Sequence, residues 1–140
     1  MGKSKAGKDY IGVGGGALII NDQNKTLLLQ RGKKASNDIG VWCKPGGAVE
    51  YGETVEAMIK REVREELGVE IEIIKWLKHT DHFVDDSHWV AFNCIATIRS
   101  GTPRNMEPEK HSEIKWFSLD KLPRNLATPT KDAIEEYLKK

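Results

Sequence analysis

The chain is 140 residues long, 39% hydrophobic and 31% charged. That is enough for one domain with its own core, and it excludes a disulfide scaffold, a disordered chain and a multidomain machine. The 22 basic residues nearly balance the 21 acidic ones, and a net charge of +1 supplies no field that would mark a general nucleic-acid binder.

Residues 1–9 are polar and lysine-rich and are expected to form a disordered tail, leaving one domain over residues 10–140. The run IGVGGGALII predicts a strand whose glycines admit a close neighbour. NDQNK then predicts a turn into TLLLQR, so the two strands are expected to pair as a hairpin. GKKASND has turn composition, and IGVWCKP leads through a short extended segment to Gly46 and Gly47. Over residues 54–67, Val55, Met58, Ile59, Val63 and Leu67 recur every three or four positions and Gly68 stands where a helix stops, which predicts a helix. VEIEII and WLKHTDHFV are β-like, and Asp85, Asp86 and Ser87 predict a turn into HWVAFNCIATIR, a second hairpin. Residues 100–112 read as a loop, EIKWFSL as a last strand, and a helix is expected from about Thr130. The order β-β-β-α-β-β-β-α predicts an α+β fold, an α/β/α sandwich with a mixed sheet flanked by two helices.

No apolar run approaches the roughly 20 residues that cross a bilayer, and MGKSKAGKDY lacks the hydrophobic stretch of a secretory signal. A cytoplasmic location without a membrane partner is therefore expected. Cys43 and Cys94 lie in β-like runs with no C-x-x-C partner, so they read as buried thiols rather than a redox pair or a zinc site.

The candidate chemistry lies on the first helix. Glu62 and Glu66 are four residues apart and Glu65 is three from Glu62, so the carboxylates crowd one side. Neither Glu62 nor Glu66 has a lysine or arginine at a helical-neighbour offset within the helix. A hard divalent cation such as Mg²⁺ would neutralise them, because it takes carboxylate oxygens, keeps several waters and is completed by substrate phosphates. Gly46 and Gly47 let the preceding backbone approach such a cation, and Glu53 stands where that loop meets the helix. The competing reading is a solvated helix face with Arg61 paired to Glu65.

The run from Gly47 to Val69, GAVEYGETVEAMIKREVREELGV, decides between them. It fits G-x5-E-x7-R-E-U-x-E-E-x-G-U, with U aliphatic, and resembles the Nudix hydrolase signature at every fixed position. At average residue frequencies, a chance match to its seven specified residues at one starting point is about one in a hundred million. The glycine-bearing first strand, LLLQR and W-x-x-P-G-G also look like that family. EPEK and the W-F-x-L-D-x-L-P run from Trp116 to Pro123 resemble MutT-like nucleotide pyrophosphatases more loosely.

The resemblance implies a Nudix fold that holds Mg²⁺, or alternatively Mn²⁺, against a diphosphate while water attacks phosphorus. It implies Glu62 and Glu66 as principal ligands, Glu65 in support, and the Gly46 carbonyl completing the shell. Glu62 or a loop glutamate would be the base, with Glu53 and Arg61 orienting the ligands and locking the loop. Gly47 borders the substrate. Arg31 either reaches the phosphates or lies on the surface, and Lys44 either contacts phosphate or points to solvent at a strand edge. Among Glu107, Glu109 and Glu113, Glu107 is favoured as a further ligand or base. Trp116 is expected to stack on the base, against the alternative that it packs under the C-terminal helix. His79 and His82 around Asp81, with Asp85 and Asp86 nearby, could be drawn as a second metal site but fit strand ends beside a polar turn.

The implied activity is metal-dependent conversion of a nucleoside or deoxynucleoside triphosphate, including oxidised or noncanonical ones, to monophosphate and pyrophosphate. ADP-ribose or nucleotide-sugar hydrolysis is the alternative within that chemistry. A non-catalytic nucleotide- or RNA-binding module is the alternative outside it, disfavoured because such modules generally lose the metal-binding glutamates. The expected partner is a small-molecule nucleotide, with the chain a monomer or homodimer.

Overall fold

The structure, a computed structural model, describes residues 3–33 and 39–139. The turn expected at GKKASND falls outside the described residues from position 34 to 38. The described residues form eight strands and two helices: β1 (Gly12–Ile19), β2 (Lys25–Arg31), β3 (Trp42–Cys43), β4 (Gly46–Ala48), α1 (Val55–Leu67), β5 (Glu70–Trp76), β6 (Thr80–Val84), β7 (Ser87–Ser100), β8 (His111–Ser118) and α2 (Thr128–Leu138).

The helix read from the 3.6-residue periodicity is α1. The Thr54 hydroxyl caps it by accepting the Ala57 N–H at 3.0 Å, and Gly68 ends it at φ 72°, donating its N–H to the Arg64 carbonyl. Met58, Ile59, Val63 and Leu67 are fully buried, each contributing about 1.5–3 kcal/mol of apolar burial. They join Ala17 and Ile19 of β1, Leu27 and Leu29 of β2, and Ile71, Cys94 and Ala96 of β5 and β7 in the main core. Leu18, of opposite parity on β1, faces the other way and packs with Leu119 and Ile134 of α2. Mixed sheets flanked by two helices result, an α+β fold.

The expected β1–β2 hairpin does not form as such. A turn links the strands, with Asn24 at φ 60° and an isolated Ile20–Thr26 bridge, but they then diverge into separate sheets. β1 lies between β4 (antiparallel) and β7 (parallel), whereas β2 lies between β3 and β8. The burial pattern gives the reason. Ala17, Leu18 and Ile19 are buried on both faces of β1, as are Leu27, Leu28 and Leu29 on β2, so neither strand has a face to leave in water as a two-stranded ribbon would.

The third extended segment likewise divides at Lys44 and Pro45. β3 joins the β2 sheet and β4 joins the β1 sheet, while Ala17 donates its N–H to the Pro45 carbonyl at 3.0 Å. The expected β6–β7 hairpin is present, turning at Asp85 (φ 54°). β7 is long enough to take β6 along its first half and β5 along its second.

The N-terminal segment also departs from the expected fray. Gly7 donates to the Tyr10 carbonyl at 2.6 Å, and its own carbonyl accepts the His88 N–H at 2.7 Å, docking this turn on β7. Among the described residues, no helix is long and apolar enough to cross a membrane.

Candidate active site

The loop from β4 into α1 is tied to the helix by Arg61. Its Nε donates to Glu53 Oε2 at 2.7 Å and its Nη2 to Glu53 Oε1 at 3.1 Å, a two-point grip on one carboxylate. Nη2 also reaches the Ala48 carbonyl at 3.3 Å, and Glu53 accepts the Glu50 N–H at 3.0 Å. These bonds hold the Glu53 carboxyl below its usual range, the Arg61 hydrogen bond first among causes. Glu53 and Arg61 therefore tie the loop to the helix.

Arg61 Nη1 also donates to its chain neighbour Glu62 at 3.1 Å and to Glu65 at 3.3 Å. The contact with Glu62 lies outside the i+3 and i+4 rule, so helical-neighbour spacing did not anticipate it. Glu65 swings out to Arg61 and is half exposed. Among the described residues, no three acidic, histidine or cysteine side chains are drawn together as a ligand group. Glu65, paired with Arg61, is more exposed than Glu62 and Glu66.

Glu66 is 7% exposed and accepts the Gly46 N–H at 3.0 Å. Burial pushes its carboxyl well above the usual range, the charge of Glu62 adds to the rise, and the Gly46 hydrogen bond only partly opposes it. Burial also raises Glu62, with Arg61 opposing. Gly47 makes room for this side chain: a Cβ there would overlap the Glu62 carboxyl group. A buried carboxylate beside another, with one amide N–H as its hydrogen-bond donor, is costly unless a cation joins it. Oxygen donors and a glycine backbone edge fit a hard divalent metal.

Glu107 is brought to this pair from the loop before β8. Met106 donates its N–H to the Glu66 carbonyl at 3.0 Å, and the Glu107 charge raises both Glu62 and Glu66. Lys110 Nζ lies 3.6 Å from Glu107. Glu113 is instead exposed on β8 opposite Gln30, and Glu109 is exposed.

Across the Gly46–Gly47 edge, on the α2 side of the sheet, opens a cavity of about 280 Å³. Arg31 and Lys44 both line it. Lys44 is 7% exposed, which removes the reading that it points to solvent. Its stem lies over Gly16, where a Cβ would crowd Lys44 Cγ at 3.2 Å. Cys94 is buried as expected, whereas Cys43 is partly exposed and lines the cavity; burial pushes the thiols up to about 12 and about 11 respectively.

Trp116 is not in this cavity. It packs against the α1 core, paired across the sheet with Leu27, because its parity on β8 turns it toward the helix. The indole on the cavity wall is that of Trp89, which sequence reasoning passed over. Its register, Trp89 opposite Gly12 in a parallel pair, brings it against the glycine run, and a parallel partner so distant in sequence leaves no local signal. His82 lines the cavity, while His79 pairs with Asp81 at 3.4 Å on the surface.

Residues 12–138 match the NUDIX domain family. The crystal structure of MutT NUDIX hydrolase from Burkholderia pseudomallei is 40% identical and superposes with a TM-score of 0.82, over 89% of this chain and 95% of that one. An ADP-ribose pyrophosphatase of Methanocaldococcus jannaschii is 33% identical over 86% of this chain and 70% of its own length. The NAD-capped RNA hydrolase NudC of Stutzerimonas stutzeri is 31% identical over 86% of this chain. The chain spans 41% of NudC and 29% of a putative nudix hydrolase of Caenorhabditis elegans. With its signature folded as a loop, a helix and a paired carboxylate site, the chain belongs to the Nudix hydrolase family.

Proposed function

We propose that this domain hydrolyses a nucleoside or deoxynucleoside triphosphate, oxidised and noncanonical ones included, to a monophosphate and pyrophosphate. The observation that carries the reading is Glu66, buried beside Glu62 with the Gly46 N–H its one hydrogen-bond donor among the described residues. Glu62 and Glu66, with Glu65 after a rotamer change and the Gly46 carbonyl, would hold Mg²⁺ or Mn²⁺. A divalent ion at such a site lowers the pKa of attacking water, polarises phosphoryl oxygens and offsets the charge of the leaving diphosphate.

The chain's own groups supply the rest. Arg61 and Glu53 fix the loop so that the Gly46–Gly47 edge and the carboxylates keep their spacing. Water adds to phosphorus as the anhydride P–O bond breaks, and its proton passes to a carboxylate. Glu107 suits that role, because Glu62 is engaged by Arg61 and Glu66 by Gly46. Arg31, at the cavity mouth shared with Gly46 and Gly47, is placed to meet the phosphates.

The test is incubation with Mg²⁺ and a panel of NTPs, dNTPs, oxidised dNTPs, ADP-ribose, nucleotide sugars and NAD-capped RNA, with products separated. Triphosphate turnover with pyrophosphate release, abolished by EDTA and restored by Mg²⁺ or Mn²⁺, is the expected result. Turnover confined to ADP-ribose, sugar nucleotides or capped RNA would move the substrate class to the one hydrolysed, and full activity in chelator would overturn the mechanism.

A further inference from the structure

The cavity on the α2 side contains a buried cation with no ion pair among the described residues. Lys44 is nine-tenths buried and lines the cavity, and its Nζ has no hydrogen-bond or ion-pair partner among the described residues. Its backbone N–H is satisfied by the Thr130 hydroxyl at 2.8 Å. The groups acting on its charge are the Cys43 and Cys94 thiols and Asp132. The thiols are neutral, and the Asp132 carboxylate accepts the Thr80 hydroxyl at 2.7 Å. Burial of an unpaired ammonium is costly, and an ammonium offers three donors and no acceptor, so the missing partner is an acceptor.

Position and shape narrow what that acceptor belongs to. The cations acting on the carboxylate pair are Arg61 and Lys110, whereas Lys44 lies under Gly16 on the opposite side of the sheet. The diphosphate belongs between the carboxylate pair and Arg31, which lines the cavity with Gly46 and Gly47. Above Lys44, Gly14 and Gly16 place no side chain in the cavity, and Trp89, Val84 and Ala91 supply apolar walls. Those apolar walls accept a flat ring, with Arg31 lining the same cavity. The start of α2, which has no side-chain cap and no acidic residue in its first turn, borders the slot and adds positive potential.

We propose that Lys44 is a specificity-determining residue that donates to the carbonyl oxygen at purine C6 or pyrimidine C4, so that the cavity selects bases with an oxo group there (hypoxanthine, guanine, uracil, thymine) over adenine and cytosine, which carry an amino group at that position. This rests on the nucleotide reading of the carboxylate site. An amino group turned toward Lys44 would set donor against donor and leave the cation unpaired, and discrimination of that kind is large because the buried group goes unsatisfied.

Two ligand pairs exchange a carbonyl for an amino group on the same ring: inosine with adenosine, and uridine with cytidine. Calorimetric titration of the full chain with the four monophosphates should show each oxo member binding about tenfold tighter than its amino partner. Lys44→Met keeps length and apolar volume, and should bring each pair to within about twofold while leaving the amino ligands little changed. The ratio of kcat/KM for ITP over ATP should fall in step. Equal affinities within both pairs in the unmodified protein would overturn the proposal without recourse to any variant. So would a Lys44→Met protein that loses oxo and amino ligands equally, which would make the lysine a phosphate contact. Failure to bind any of the four monophosphates would also overturn it, while metal-dependent hydrolysis of other nucleotide-linked diphosphates would leave the carboxylate site's function standing. Selective oxo binding with no hydrolysis of any nucleotide would do the reverse.

Discussion

Glu66 accepts the Gly46 N–H at 3.0 Å from a position that is 7% exposed, so a helix residue and a strand-edge residue twenty positions apart share one part-buried hydrogen bond. The carboxylate is held against its own desolvation and against Glu62. Glu66→Gln keeps an acceptor for Gly46 and removes the charge. Turnover should fall at least about a hundredfold, as expected for loss of a metal-ligating group, while the melting temperature stays level or rises. Glu62→Gln should behave alike. Near-normal turnover in both variants would remove the metal-site assignment.

Gly47→Ala tests the same pair from the backbone side. A methyl at position 47 overlaps the Glu62 carboxyl, and the side chain, whose far end is flexible, can give way by changing rotamer. Stability should therefore change little, by about 1 kcal/mol or less, while activity falls more than tenfold because the carboxylate no longer faces its partner. A variant with unchanged kcat and a melting temperature lowered by many degrees would show that the contact serves packing instead.

The helix α1 and its stop were legible in the sequence because each depends on residues close along the chain, and the Glu53–Arg61 lock was implied by the resemblance of one contiguous signature. The divergence of β1 and β2 was not, because whether a strand is buried on both faces is decided by partners such as β7, which lies far along the chain. Trp89 escaped for the same reason, as did the burial of Lys44. Their environment is set by the parallel β1–β7 pairing and by α2, and neither leaves a periodicity to read. The signature locates the carboxylates; what surrounds the cavity depends on tertiary packing alone.

His111 makes a prediction for acid stability. It is buried at the start of β8, its Nδ1 has no partner, and burial with the nearby Arg31 and Lys110 charges pushes it down to about 4 from an ordinary 6.5, with Glu109 opposing. The unfolded chain takes up this proton below about 6.5 and the folded chain only near 4, so the unfolded state binds more protons between them. The stabilising contribution is complete above pH 6.5 and is lost as pH falls toward 4. Glu66, raised in the fold, acts in the opposite sense, so the measurement is the difference between the unmodified protein and His111→Gln. Denaturant midpoints from pH 7 to 4 should fall more steeply for the unmodified protein, and parallel curves would refute the assignment.

The last prediction separates the two tryptophans. Trp116 packs with the α1 core and Trp89 borders the cavity, so their removal should be read by different instruments. Trp116→Ala should lower stability by about 2–3 kcal/mol, less than full burial would cost, and leave KM for nucleotides near its original value. Trp89 also carries the docked N-terminal turn through Gly7, so Trp89→Leu is the milder change, keeping an apolar wall while removing the flat ring. KM for nucleoside triphosphates should rise about tenfold, the scale of one lost base-stacking contact, with inorganic triphosphate unaffected. If Trp116→Ala raised KM selectively for nucleotides while Trp89→Leu did not, the base would have to lie on the β8 side, and the cavity above Lys44 would be serving some other part of the substrate.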